Sequence, residues 1–61
     1  MMSFDEKLQF ELDKINLEVY RLTIMSNEAL AKGDYVTSGR YYIEKKKLLR
    51  TKKILKAIME V

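Results

Sequence analysis

Apolar or small residues recur at alternating steps of four and three through the first half of the chain. They are Leu8, Leu12, Ile15, Val19, Leu22, Ser26 and Ala29. Since an α-helix turns once every 3.6 residues, this spacing places all of them on one helical face. A half-buried strand would instead alternate with period two. The pattern therefore predicts one long amphipathic helix, α1, over about residues 4–31, and we call this face the α1 seam.

The ends of this helix carry recognisable capping signals. Ser3 followed by Glu6 fits a capping box at the start. Gly33 can adopt the left-handed conformation that ends a helix, and Asp34 can cap a second one. No proline interrupts the sequence. We predict a single domain over residues 1–61, with helices over about 4–31 and 35–60 joined by a turn at 32–34. The link is so short that the helices must be antiparallel neighbours.

The second helix spreads its apolar residues over several sides. One column contains Tyr41, Leu48 and Leu55, flanked by Thr51 and Ile58; a second contains Tyr35, Tyr42 and Leu49; a third contains Val36, Ile43 and Ile54. One partner helix cannot cover all of these sides. Near the turn, Ser26, Ala29, Ser38 and Gly39 are small, which predicts a close approach of the two helices there.

A second apolar stripe runs along the first helix, on the side opposite the α1 seam. Phe10, Leu17 and Ile24 are spaced seven residues apart, and Tyr20 lies beside them. We interpret these four residues as an interface, although isolated exposed apolar residues are ordinary in monomers. A chain of 61 residues without cysteine or histidine has neither a disulfide nor a zinc site to stabilise it. The fold class we predict is all-α: an antiparallel two-helix hairpin that dimerises into a four-helix bundle or a larger helical oligomer. The interface joins identical chains or receives a different protein.

Charge is distributed unevenly along the chain. Residues 1–31 contain three basic and six acidic side chains, a net charge of −3, and residues 32–61 contain nine basic and three acidic, a net charge of +6. One interpretation is ion pairing across the hairpin. It would place Glu11 and Asp13 near Lys52, Lys53 and Lys56, and Glu18 near Lys45, Lys47 and Arg50.

The other interpretation is a nucleic-acid surface on the second helix. Lys46, Arg50 and Lys53 share one side, and Arg40 shares another with Lys47. A basic stripe is typical of phosphate binding, and Tyr41 or Tyr42 could stack on unpaired bases. We favour solvated faces and ion pairs over nucleic acid, because the basic side chains surround the helix.

Several classes of function are disfavoured. The chain contains no histidine or cysteine, no glycine-rich phosphate loop and no clustered carboxylates. We expect no catalytic residue, no metal, no cofactor and no small-molecule substrate. The acidic start is unlike a secretory signal, and no run approaches the ~20 apolar residues that span a bilayer. The basic half also lacks the wide apolar face of a helix lying on a membrane. Cytoplasm is the default location.

The function that fits these features is a small non-enzymatic interaction protein. In this interpretation an oligomeric helical hairpin binds or modulates a protein partner. The alternatives are a nucleic-acid-binding regulator that uses the basic second helix, and a purely structural assembly subunit.

Overall fold

A computed structural model describes residues 3–60 of the chain as two α-helices that pack against each other. Helix α1 spans Phe4–Ala31 and helix α2 spans Tyr35–Met59. The hairpin measures 46 × 19 × 12 Å. The protein is therefore an all-helical hairpin, as the sequence predicts. Met1, Met2 and Val61, which the predicted domain includes, lie outside the described residues.

Ser3 caps the start of α1, which is one half of the predicted capping box. The backbone amide of Glu6 donates a hydrogen bond to Ser3 Oγ at 3.2 Å. The amide of Lys7 donates to the carbonyl of Ser3 at 3.0 Å. Asp5 and Glu6 occupy the first turn, where a negative charge interacts favourably with the helix dipole.

The turn is closed by hydrogen bonds that return to the last turn of α1. Gly33 has a φ of 77°, in the left-handed region that favours glycine. The amides of Gly33 and Asp34 donate to the carbonyls of Leu30 and Ala29, at 3.0 and 2.9 Å. Asp34 then caps α2, since its carboxylate accepts a hydrogen bond from the Thr37 amide at 3.1 Å. The chain thus reverses direction over three residues.

The core lies along the α1 seam. Leu8, Leu12, Ile15, Leu22 and Ala29 are buried, with Leu12 only 4% exposed, and Val19 and Ser26 are half-buried. The seam predicted from the spacing is therefore confirmed.

Helix α2 covers that seam with a mixed surface. Its residues that face α1 follow the same steps of three and four, and we call them the α2 seam: Ser38, Tyr41, Lys45, Leu48, Lys52, Leu55 and Met59. Ser38 is buried and the other six are half-buried. No hydrophobic residue of α2 is fully buried within the described part of the chain. Lys45 and Lys52 can lie there because their methylene stems cover apolar surface while the ammonium groups reach water.

The two helices are in contact near the turn through a pair of serines. The Ser26 and Ser38 hydroxyl oxygens are 2.9 Å apart, and the Ser26 hydroxyl also lies 3.2 Å from the carbonyl oxygen of Ser38. The expected close approach at Gly39, however, is wrong. A Cβ added to Gly39 would meet no atom within 4 Å, so the serine pair, and not this glycine, marks the contact.

The ion pairs expected across the hairpin are also wrong. Within residues 3–60 the ion pairs join Glu11 to Lys14 at 3.7 Å and Glu44 to Lys47 at 3.5 Å. Each is a pair within one helix, three residues apart, and its side chains are more than half exposed. Two of the cations assigned to such pairs, Lys45 and Lys52, lie half-buried on the α2 seam and form no ion pair there with another described residue. The two helices are held together mainly by apolar contact, and no ion pair among the described residues joins one helix to the other.

Substituting Gly39 by alanine should stabilise the hairpin by about 1 kcal/mol. The new methyl group enters open space, and alanine loses less conformational freedom in a helix than glycine does. Thermal unfolding followed by circular dichroism measures the change. Gly33→Ala provides the contrast, because its φ of 77° is unfavourable for alanine. A lower midpoint for Gly39→Ala would contradict the open space around this residue.

The cap at Asp34 should make the stability depend on pH. Hydrogen bonds from the side chain and the amide of Thr37 lower the pKa of Asp34 below its usual 3.8, and the charge of Arg40 adds to the effect. A lowered pKa stabilises the fold above 3.8, and this contribution is lost as the pH falls through the folded-state pKa.

The measurement compares the melting temperatures of the wild type and Asp34→Asn across the acid range. Asparagine keeps the capping geometry without titrating, and all other carboxylates are the same in both proteins. The advantage of the wild type should shrink as the pH falls below 3.8. A difference that does not change with pH would contradict the assignment.

Candidate protein interface

Apolar side chains are more often exposed than buried in this hairpin. Within residues 3–60 fourteen large hydrophobic side chains are exposed, whereas five hydrophobic residues are buried. Scattered exposed apolar residues are normal, but a contiguous apolar surface marks an interaction site. These side chains therefore mark a candidate interaction site only where they lie side by side on one face of the hairpin.

On α1 they do align. Phe10, Leu17 and Ile24 are 54%, 56% and 39% exposed. Helical geometry places them about half a turn away from the α1 seam, in a line about 21 Å long, and we call them the α1 outer stripe. Tyr20 is 64% exposed and borders the stripe. The Lys14 ammonium lies 5.4 Å from the centre of the Phe10 ring, within range of a cation–π contact.

A groove of about 390 Å³ lies beside the middle of this stripe. It is lined by Glu11, Lys14, Ile15, Leu17, Glu18 and Leu48. Ile15, Leu17 and Leu48 supply its apolar surface, while Glu11 and Glu18 supply negative charge one heptad apart. Lys14 pairs with Glu11 at 3.7 Å. We call this cleft the acid-rimmed groove, and it suits an apolar side chain that is flanked by positive charge.

Helix α2 exposes two further apolar columns. Val36, Ile43 and Ile54 are exposed and lie on the side of α2 turned away from α1, and we call them the α2 outer stripe. Ile58 borders this stripe and is also exposed. Tyr35, Tyr42 and Leu49 lie between the outer stripe and the α2 seam, and they are exposed as well.

The candidate nucleic-acid residues are exposed but do not form one group. Lys46, Arg50 and Lys53 share a side of α2, whereas Arg40 lies about a quarter to a third of a turn away from them. The Lys46 ammonium lies 5.5 Å from the centre of the Tyr42 ring. Tyr41 is half-buried and lines a separate cavity of about 230 Å³ near the turn. Tyr41 therefore belongs to the packing between the helices, and Tyr42 is the exposed ring.

Within residues 3–60 no three acidic side chains come together as a cation site. Over the same residues, neither helix is long and apolar enough to cross a bilayer.

Two features of this surface were missed by sequence reasoning. The α2 seam passes through Lys45 and Lys52, and the unbroken steps of three and four from Ser38 to Met59 were the signal for it. The acid-rimmed groove joins Leu17 to Leu48 across the hairpin. No single-helix pattern reveals such a contact, because it depends on how the helices are rotated against each other.

No known protein family, curated protein or solved structure matches this chain. Any function must therefore be argued from the hairpin's own surfaces.

Proposed function

We propose that this hairpin is a small non-enzymatic interaction protein, which self-associates and binds a protein partner through its exposed apolar faces. The observation that carries the proposal is the excess of exposed over buried hydrophobic side chains, together with their alignment in the α1 outer stripe. Water contact with such a stripe is unfavourable by about 25 cal/mol for each Å² that a partner could bury.

The character of the core supports the same proposal. A domain of this size has little surface to bury, and α2 contributes to its core only half-buried residues and one buried serine among the described residues. Covering the outer faces by another polypeptide adds burial that the hairpin alone does not have. Binding to the folded state then stabilises it by mass action.

Replacing Phe10, Leu17 and Ile24 by glutamine should abolish capture of the protein partner. Glutamine is a good helix former and these positions are exposed, so the substitutions remove apolar surface without creating a cavity. The measurement is affinity capture from nuclease-treated extracts of the source cells, with the retained proteins identified by mass spectrometry. We expect at least one protein, other than the chain itself, to be retained by the wild type and absent with this variant, which we call the α1 variant.

The matched control replaces Asn16 and Asn27 by glutamine. Both are exposed polar residues of α1 outside the α1 outer stripe, so the same type of side chain is introduced without removing apolar area. The control should retain the same proteins as the wild type. Equal retention by all three proteins would refute a role for the α1 outer stripe in partner binding.

Nucleic acid is the second candidate partner. The observations that favour it are the exposed trio Lys46, Arg50 and Lys53 and the exposed Tyr42 ring beside Lys46. Phosphate contacts release counterions, so such binding weakens steeply with salt. Tyr42 would favour single strands, whose bases can stack on an aromatic ring.

This candidate predicts that Lys46→Gln, Arg50→Gln and Lys53→Gln together weaken binding to a single-stranded oligonucleotide. The salt dependence of the logarithm of the affinity should flatten by about 0.7 for each phosphate that the variant no longer neutralises. Fluorescence anisotropy over a series of salt concentrations measures both quantities. The matched control is Lys7→Gln, Lys14→Gln and Arg21→Gln on α1, which removes the same charge. Equal weakening in the two triple variants, or no binding by the wild type at low salt, would exclude the α2 surface.

A further inference from the structure

The structure also points to which surfaces join one copy of the chain to the next. We infer that the acid-rimmed groove and the α1 outer stripe of one copy receive the α2 outer stripe of a second copy. This inference rests on the self-association in the proposed function. It adds which two surfaces meet, and that these are different surfaces of the chain.

Charge complementarity selects this pairing of helices. Six acidic and three basic side chains give α1 a net charge of −3, and eight basic and one acidic give α2 a net charge of +7. An α2–α2 contact between copies would bring together two strongly positive surfaces. An α1–α1 contact through the outer stripes would gain no net attraction, since three acidic and three basic side chains lie three or four positions from Phe10, Leu17 and Ile24. Only the α1–α2 contact joins helices of opposite net charge, and like charges held close together disfavour the α2–α2 pairing.

The local features of the two surfaces match as well. The acid-rimmed groove has an apolar interior, and Glu11, Lys14 and Glu18 give its rim a net charge of −1. On the α2 outer stripe, Lys47 lies four residues after Ile43, and Arg50 lies four residues before Ile54. Positions four apart are neighbours on a helix surface, so each of these isoleucines has a positive charge beside it. No acidic residue lies three or four positions from Val36, Ile43 or Ile54.

The ion pairs within the hairpin engage two of these charges, since Glu11 pairs with Lys14 and Lys47 with Glu44. Among the described residues the ion pairs stay within single helices, and Glu18 and Arg50 take part in neither. A second copy can therefore supply oppositely charged partners for Glu18 and Arg50.

Such a contact is heterologous, because two different surfaces of the chain meet. The two outer stripes lie on opposite helices and point away from each other. Each copy therefore keeps one free surface after binding the first neighbour. A contact of this kind repeats from copy to copy, and it ends only when a ring closes.

Mixing two variants tests this arrangement. The α1 variant lacks the α1 outer stripe but keeps the α2 outer stripe, and a second variant with Ile43→Gln and Ile54→Gln has the opposite defect. Each alone should be a monomer by sedimentation velocity, whereas the wild type should be larger. An equimolar mixture should form a 1:1 pair, because one intact surface remains on each partner. The variant with Asn16→Gln and Asn27→Gln should keep the wild-type mass.

The outcomes separate this inference from the proposed function. If the Ile43→Gln and Ile54→Gln variant keeps the wild-type mass, or if the mixture forms no pair, the inference is overturned. A monomeric wild type would overturn it as well. The proposed binding of a protein partner still stands in each case if the wild type captures a protein that the α1 variant does not. Should a single variant lose helicity, the mixture still decides, since pairing restores both mass and helicity.

Discussion

The contact between the α1 seam and the α2 seam is the interaction on which the rest of the structure depends. Its two sides are chemically unequal. Helix α1 offers leucine, isoleucine and alanine at regular steps, and these residues are buried. Helix α2 contributes two lysines, a serine, a tyrosine, two leucines and a methionine, and all but the serine are half-buried. The hairpin holds together because packing against α2 buries the apolar residues of α1, although the surface that α2 contributes is only partly apolar.

This inequality explains why the outer surfaces matter. A core formed mainly by one helix leaves little free energy to oppose the conformational entropy of two long helices. Hydrophobic residues that could have strengthened α2 lie on its outer sides, and lysines occupy two positions that face α1. Lysine at a core position of paired helices lowers stability and restricts the register in which they can pack. This distribution supports the proposal that the outer sides of the hairpin contact other chains.

The sequence allowed much of the fold to be predicted. The steps from Leu8 to Ala29 identified the buried face of α1. Ser3 and Gly33 marked the ends of α1 and Asp34 the start of α2, because these signals are local to one helix. What failed depended on how one helix rotates against the other. The role of Gly39, the ion pairs across the hairpin and the place of Lys45 all belong to that class. The exposure of the α1 outer stripe was predictable. The molecule that binds it was not, since an apolar surface pattern does not specify its partner.

The three-residue turn has a mechanical consequence. It ties the helices together at one end of a rod 46 Å long, and Ser3 and Glu60 both lie at the far end, where no covalent link holds them. The hairpin thus has a closed end, where Gly33 forms the turn and the Ser26–Ser38 contact lies close to it, and an open end. Any fraying begins at the open end, so a pair of labels at Phe4, which is exposed, and Glu60 would report the separation of the helices without removing the Ser3 cap or disturbing the turn.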